Sequence, residues 1–498
     1  MPVIALLLVL AVLAPTASAE LLAGTARVDI TDYQAGPVND PSYAKALVLK
    51  NGSSVAVIIT VDAVAIGEIG RIPNHFMASV REKLQVDLNI PPASLLVNAS
   101  HCHSIVRTDS DVLAVHAVKE AWKKLEPARA AAGRGHEDRI QENRRMFLKD
   151  GTQIDVRRAY SMPRDEDVTT IGPIDPAIGL LRIDRKDGRP LAVLYNFAAH
   201  PIQGVPSNGN TADYPGFASK AIEETLGNGA LALFIQGAGG DINPAKYKDV
   251  HQPHDAEPLG NLLGLSVLRA WRSIQPKDDA PVRILNEVLT LPRGIDYPQR
   301  IAALQAEQKH LLQSLQGTSI NFKTFLPLYI KYKVTGEFPS YYSHRYLHEK
   351  ALNREDLAKL DAENRAAMDQ YLRNIHTMEQ LTRLQANLAL LRKHHARHLA
   401  EGSKPFTAEV VALRVGDFHL VTFPGELTVE IGLGIKQRAQ APFTFVAGYT
   451  NGYLYYTATV RQRTNTGYAQ EDCDSLVAPE WQALFEQKAA ELLAGLAR

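Results

Sequence analysis

The sequence predicts an α/β fold in which a layered, mixed-sheet core is interrupted by a long helical hairpin. Three observations carry that reading. Short apolar runs alternate with helical stretches from Glu20 to about Pro292, an apolar stripe of helical period replaces them from about Ile295 to Glu401, and strand-like runs resume after Phe406. Alternation stacks helices on a sheet, and a sustained stripe marks helices that bury one face.

Residues 1–19 read as an export signal. Ile4 to Leu13 is an unbroken apolar run, and Ala17-Ser18-Ala19 fits the small-residue cleavage rule ahead of Glu20, although no Lys or Arg precedes the run. About ten apolar residues fall short of a bilayer core of roughly 30 Å. The segment therefore predicts an exported protein, periplasmic or secreted, with no transmembrane span.

Residues 20–294 form the first part of the core. Val55 to Val61, Leu95 to Val97, Leu191 to Phe197 and Ala230 to Gln236 read as buried strands, with helical composition at Pro73 to Leu84 and Ala218 to Leu226. Residues 295–401 form the helical insertion. Ile301, Leu304, Leu311 and Leu315 make one stripe; Met368, Tyr371, Ile375, Met378, Leu381, Leu384, Leu388 and Leu391 make the other. Two long antiparallel helices are expected, joined by an aromatic-rich connector from Phe322 to Tyr346. Asn353, three residues before Asp356, reads as the second helix's start. Packing on the core is the plain expectation for this insertion, and covering a pocket mouth is the sharper one. Residues 402–498 complete the core, with strands at Val410 to Val415, His419 to Phe423 and Phe443 to Val446 and a terminal amphipathic helix from Glu480 to Leu496.

Composition narrows the function by exclusion. Lys plus Arg and Asp plus Glu both number 54, so no global charge steers the chain to nucleic acid or an anionic membrane. Any substrate preference must come from a local site. Cys102 and Cys473 are either two separate buried thiols or, in an oxidising compartment, a disulfide.

Five polar clusters each follow an apolar strand: Asn98 to Ser104, Asn196 to Pro201, Gly237 to Pro244, Phe423 to Glu426 and Tyr449 to Tyr456. Ligands of α/β sheets gather where strands end and loops begin. In extended chain His101 and His103 share one face, so a metal can take one or both. His200 adds a nitrogen and Glu426 a carboxylate, a mixed set that suits zinc with one position open for water. Each residue also has a plainer role. His200 can be a hydrogen-bonded strand-end histidine, Glu426 can cap a helix near Leu427, and Tyr453 and Tyr456 can simply pack. Asp213 is best read as shaping a turn and Asp241 as closing a loop. His394 and His398, one helical turn apart among Arg392, Lys393 and Arg397, read as structural residues at a helix end.

His101-Cys102-His103-Ser104, Asn196-Phe197-Ala198-Ala199-His200-Pro201, Ala212-Asp213-Tyr214-Pro215-Gly216, Gly240-Asp241-Ile242-Asn243-Pro244, Pro424-Gly425-Glu426 and Asn451-Gly452-Tyr453 occur in this order. In that order they resemble the neutral/alkaline, non-lysosomal ceramidase family, as does the opening Ala23 to Thr31. The resemblance covers most of residues 20–290 and 405–475 and does not extend to the carboxy-terminal β-sandwich of that family's ceramide hydrolases. It implies a metallohydrolase core that binds one zinc ion through His101, His200, Glu426 and Tyr453. It further implies that His103 is the acid/base histidine, that Arg144 contacts substrate, and that Tyr456 lies on the oxyanion side.

The expected activity is zinc-dependent hydrolysis of an amide in an N-acyl compound, with ceramide-like sphingolipids the implied class and peripheral membrane contact compatible with it. Two alternatives stand beside it. One is a zinc hydrolase of a small polar amide or ester, which Arg107 and Asp109 near the metal would suit. The other is a zinc-dependent binding protein without turnover. The sequence leaves the oligomeric state open.

Overall fold

The computed structural model describes residues 20–156, 162–251, 253–339, 343–466 and 469–497. The export signal read at residues 1–19 lies outside them. Among the described residues, no helix is long and apolar enough to cross a membrane.

The chain opens with β1 (Leu21–Asp29), β2 (Tyr43–Asn51) and β3 (Ser54–Val61), followed by α1 (Phe76–Leu88), β4 (Leu95–Ala99), α2 (Ser110–Lys123) and β5 (Glu126–His136). Short strands β6 (Gln141–Asn143), β7 (Arg145–Leu148), β8 (Gln153–Asp155) and β9 (Val168–Ile171) lead to β10 (Ala177–Arg185) and β11 (Pro190–Phe197). Then come α3 (Asp213–Leu226), β12 (Leu231–Gln236), β13 (Ile242–Pro244), α4 (Ala256–Trp271) and β14 (Val282–Leu291). Four helices follow: α5 (Tyr297–Ser314), α6 (Phe322–Val334), α7 (His344–Ala351) and α8 (Asp356–Glu401). The chain closes with β15 (Phe406–Val415), β16 (Phe418–Thr422), β17 (Glu426–Leu427), α9 (Val429–Arg438), β18 (Thr444–Ala447), β19 (Tyr456–Thr457), α10 (Val460–Arg463), α11 (Gln470–Cys473) and α12 (Trp481–Leu496).

An eight-stranded mixed sheet runs β12-β11-β10-β5-β1-β2-β3-β4, and a four-stranded sheet runs β14-β15-β16-β18. Alternation along each strand sorts its side chains between two cores. Leu47, Leu49 and Ile58 point to the second sheet, where Leu413, Leu420 and Phe445 meet them. The alternate residues Val48, Val57 and Ile59 pack under α1 and α2, and Tyr195 and Phe234 pack under α3 and α4. Trp481 and Phe485 of α12 cover the outer face of the second sheet against Phe423. Layering helix, sheet, sheet and helix buries every sheet face.

Most strand pairs are antiparallel, but the short pair β17 with β19 is parallel and, in the two large sheets, so are β3 with β4, β11 with β12, and β16 with β18. Those parallel pairs release the loops that bear the predicted site residues. Buried amides tie the strand ends of the two sheets together. Asn98 donates from Nδ2 to the Gly448 carbonyl at 2.8 Å and accepts from the Gln236 amide at 2.8 Å. Asn196 donates to the Ile235 and Val446 carbonyls at 3.1 and 3.2 Å.

The helical segment differs from expectation in two places. The stretch from Phe322 to Tyr346, expected as a connector, contains α6 and the start of α7; aromatic content and the internal Pro327 disguise α6, whose capping box at Asn321 and Thr324 starts it firmly. Asn353 does not begin the long helix. It takes a left-handed φ of 54° just after α7, and α8 starts at Asp356. The two long helices do run antiparallel: Tyr297 of α5 lies against His394 and His398 of α8, and Gln308 bonds Gln385 at 3.3 Å. Cys102 and Cys473 are separate buried thiols.

Candidate metal centre

The loops after β4, β11, β16 and β18 converge on one cavity of about 600 Å³. His101 follows β4 in a left-handed conformation, φ 69°, which turns its ring away from the extended path expected for a His-x-His pair. Its ring consequently meets His103 edge-on, with centroids 5.8 Å apart, instead of lying beside it on one face. Only His101 joins the tight cluster below.

Nδ1 of His101 lies 2.6 Å from the Val64 carbonyl oxygen, and Nδ1 of His200 lies 2.7 Å from that of Gly239. A carbonyl only accepts, so each Nδ1 carries the proton and each Nε2 keeps a lone pair. Both Nε2 atoms face Glu426 Oε2, at 3.6 Å from His101 and 3.1 Å from His200. All three residues are buried, and one ligand atom from each lies within 4.8 Å of the others. Burial, aided by the Arg144 charge, pushes the His200 imidazole down to about 3. Burial opposes ionisation of Glu426, yet the charge that the facing imidazoles carry when protonated, with the Tyr453 hydroxyl, outweighs it and holds the carboxyl below the usual carboxylate range. With both rings neutral, three acceptors point at one another, an arrangement that a cation completes. Backbone carbonyls fixing the far ring nitrogens are the usual support for metal-bound histidines.

The other predicted residues surround this focus. Tyr453 donates its hydroxyl to Glu426 Oε1. His103 opens to the cavity, yet the surrounding walls desolvate it and His101 adds repulsion, pushing its imidazole down to about 4. Tyr456 places its hydroxyl 3.4 Å from His200 Nε2 and accepts from Arg144 Nη2 at 3.1 Å. Arg144 is itself buried, donating to Glu471 at 2.6 Å, to Asn243 at 3.1 Å and to the Gly240 carbonyl at 2.5 Å. It lines the cavity beside Tyr456. Gly240 is required here, because a Cβ would come 2.7 Å from the Glu426 carbonyl oxygen.

Asp213 also takes a left-handed φ, 56°, and accepts the amides of Gly204 at 2.6 Å and Tyr214 at 2.7 Å, so it shapes the turn into α3. Asp241 accepts the Val429 amide at 2.8 Å and closes its loop onto α9. Glu426 does not cap that helix; Thr428 precedes it and the carboxylate faces the histidines. Arg107 and Asp109 pair with each other on the surface, away from the cavity lining.

Four contributors escaped the sequence reading. Tyr449, the first residue of the Tyr449 to Tyr456 cluster, packs its ring 4.3 Å from that of His101 and donates to Glu426 Oε2 at 3.3 Å. Glu471 anchors both Arg144 and Arg145, which the acidic pair before Cys473 could have signalled. Lys393 of α8 lines the cavity with its ammonium 4.5 Å from the Tyr455 ring centroid. The adjacent His394 holds Asp474, another lining residue, at 2.6 Å. The long helix thus forms part of the cavity wall.

No family model matches the chain, and no curated protein matches it in sequence. Solved structures do. The chain is similar in fold to the crystal structure of neutral ceramidase from Pseudomonas aeruginosa, with a TM-score of 0.60 and 15% identity, over 96% of this chain and 74% of that one. It is equally similar to a structure described as ceramidase complexed with C2, with a TM-score of 0.60 and 16% identity, over 96% and 75% of the two chains. At this identity the likeness establishes a shared fold.

Proposed function

We propose that the chain is a zinc-dependent hydrolase of amide bonds in N-acyl compounds, with ceramide-like sphingolipids the leading substrate class. One observation carries the reading: Nε2 of His101, Nε2 of His200 and the Glu426 carboxylate converge, buried, in a fold shared with neutral ceramidase. A nitrogen and oxygen donor set of few residues beside an open cavity fits zinc, and Tyr453, bonded to Glu426, would complete the set.

When bound, a zinc ion supplies the Lewis acidity that brings the pKa of a water toward about 7. The remaining work falls to the chain. His101 and His200, fixed through Nδ1, aim Nε2 at the site. His103, held neutral by its surroundings, takes the proton of the attacking water and returns it to the leaving amine. The Tyr456 hydroxyl, polarised by the Arg144 guanidinium, donates to the carbonyl oxygen as negative charge develops there.

A second reading, hydrolysis of a smaller polar amide or ester, is favoured by the lining at Asn208, Asn210, Thr211 and Lys393. The deciding experiment measures zinc content with and without chelator alongside hydrolysis of a panel of fluorogenic N-acyl substrates. Zinc-dependent turnover of long-chain amides supports the sphingolipid class. Turnover limited to short polar acyl groups moves the assignment to the second reading, and stoichiometric zinc without any turnover overturns catalysis.

A further inference from the structure

Helix α6 is apolar on two faces, and among the described residues only one has a partner. On the inner face Phe325 and Tyr332 are buried, and with Leu328 and Tyr329 they pack against Met368, Tyr371 and Leu372 of α8. On the outer face Phe322, Leu326, Ile330 and Val334 are 62%, 43%, 54% and 76% exposed. Spacing of four residues lines these side chains along one side of the helix. Single exposed apolar residues are ordinary, but a contiguous stripe of four large ones marks a contact surface.

The charges on the same helix say what kind. Lys323, Lys331 and Lys333 are its charged residues, with no carboxylate among Phe322 to Val334. Among the described residues none of the three makes an ion pair; Lys331 and Lys333 sit 5.5 Å from the ring centroids of Tyr332 and Tyr329. A two-fold contact with a second copy would bring like charges face to face, because such an interface pairs a patch with itself. An anionic lipid surface meets both demands, since its headgroups answer the lysines and its acyl boundary receives the stripe.

We infer that the outer face of α6 docks onto the anionic surface of a bilayer. Through Tyr371 the helix packs on α8 roughly 30 Å along the axis from Lys393, which lines the cavity, so the docking face and the metal centre lie beside different parts of that long helix. Membrane attachment is therefore measurable without reference to catalysis.

The test is co-sedimentation of the full chain with vesicles of phosphatidylcholine alone or with phosphatidylserine added. The wild type should partition onto the phosphatidylserine vesicles, less at high salt, and onto pure phosphatidylcholine weakly. Leu326→Asp with Ile330→Asp should lower the partition coefficient at least about tenfold. Lys323→Gln with Lys333→Gln, which leaves the apolar stripe intact, should lower it on anionic vesicles and remove most of its salt dependence. Absence of binding by the wild type overturns the inference, as does binding that both double variants retain. A concentration-dependent dimer in sedimentation velocity, dissolved by the Leu326 and Ile330 changes with no vesicle binding, also overturns it and assigns the face to self-association.

Discussion

Nε2 of His200 lies 3.1 Å from Oε2 of Glu426, and the carbonyls that hold Nδ1 of His200 leave both facing atoms as acceptors. Removing either residue should remove the cation and turnover together. His200→Ala and Glu426→Ala are expected to lose stoichiometric zinc by elemental analysis. In the wild type, a chelator should lower the unfolding temperature, because a ligand bound only by the folded state contributes about 4 kcal/mol at a thousandfold excess over its Kd. Full zinc occupancy in both variants would sink the site.

His103 is where the proposed acid/base role can be tested apart from metal binding. Its ring stands edge-on to His101 and outside the cluster of three buried donors. His103→Ala should keep zinc while kcat falls by about 10²–10⁴. Tyr456→Phe should likewise keep zinc and lose about 10²-fold in kcat, the usual effect of removing one donor to a developing oxyanion. If His103→Ala strips the metal, the division of roles is wrong. If Tyr456→Phe changes KM alone, the hydroxyl binds substrate without assisting the transition state.

The parts of the site legible in sequence were those whose signal is local. A polar cluster after an apolar run announces a strand end, and His101, His200, Glu426 and Tyr453 all sit on such ends. Their convergence follows from the parallel pairs β3–β4, β11–β12 and β16–β18, whose carboxyl ends meet. Tyr449 and Glu471 were invisible in their roles, because a tyrosine packed on a histidine 348 positions away leaves no periodic trace. The same holds for α8. Its apolar stripe predicted a helix and an antiparallel partner, but Lys393 and His394 read as cations at a helix end. Net charge speaks only for the whole chain: its total of zero includes a helix, α6, whose charged residues are all lysines.

Asp213 gives the stability a pH dependence of known sign. Burial pushes its carboxyl up to about 7 from a reference of 3.8, against the pull of the Gly204 and Tyr214 amides. The folded chain therefore binds this proton more tightly than the unfolded chain. The resulting stabilisation is complete below about pH 4 and is lost as pH rises through about 7. Urea unfolding of the wild type and Asp213→Asn from acid to neutral pH should show the wild type losing stability relative to the variant across that window. A constant difference between the two would show that Asp213 keeps an ordinary affinity for its proton.

His394 tests whether the long helix belongs to the site or merely rests on it. The ring is buried, its Nε2 lies 2.6 Å from Asp474 Oδ1, and it stands edge-to-face with Tyr455 at 5.2 Å between centroids. Asp474 and Tyr455 both line the cavity, and Tyr455 is held at a left-handed φ of 56°. A non-glycine residue persists there only when its surroundings fix it. Removing the ring leaves the Asp474 oxygen without its partner at a cost of about 1–3 kcal/mol and frees the wall that Tyr455 forms. His394→Ala should therefore unfold at lower temperature and raise KM more than it lowers kcat, while zinc stays bound. His394→Gln, which keeps a donor for Asp474, should recover part of the stability and part of the KM. A variant that loses stability with KM unchanged would reduce α8 to packing alone, and the cavity would owe its shape to the two sheets.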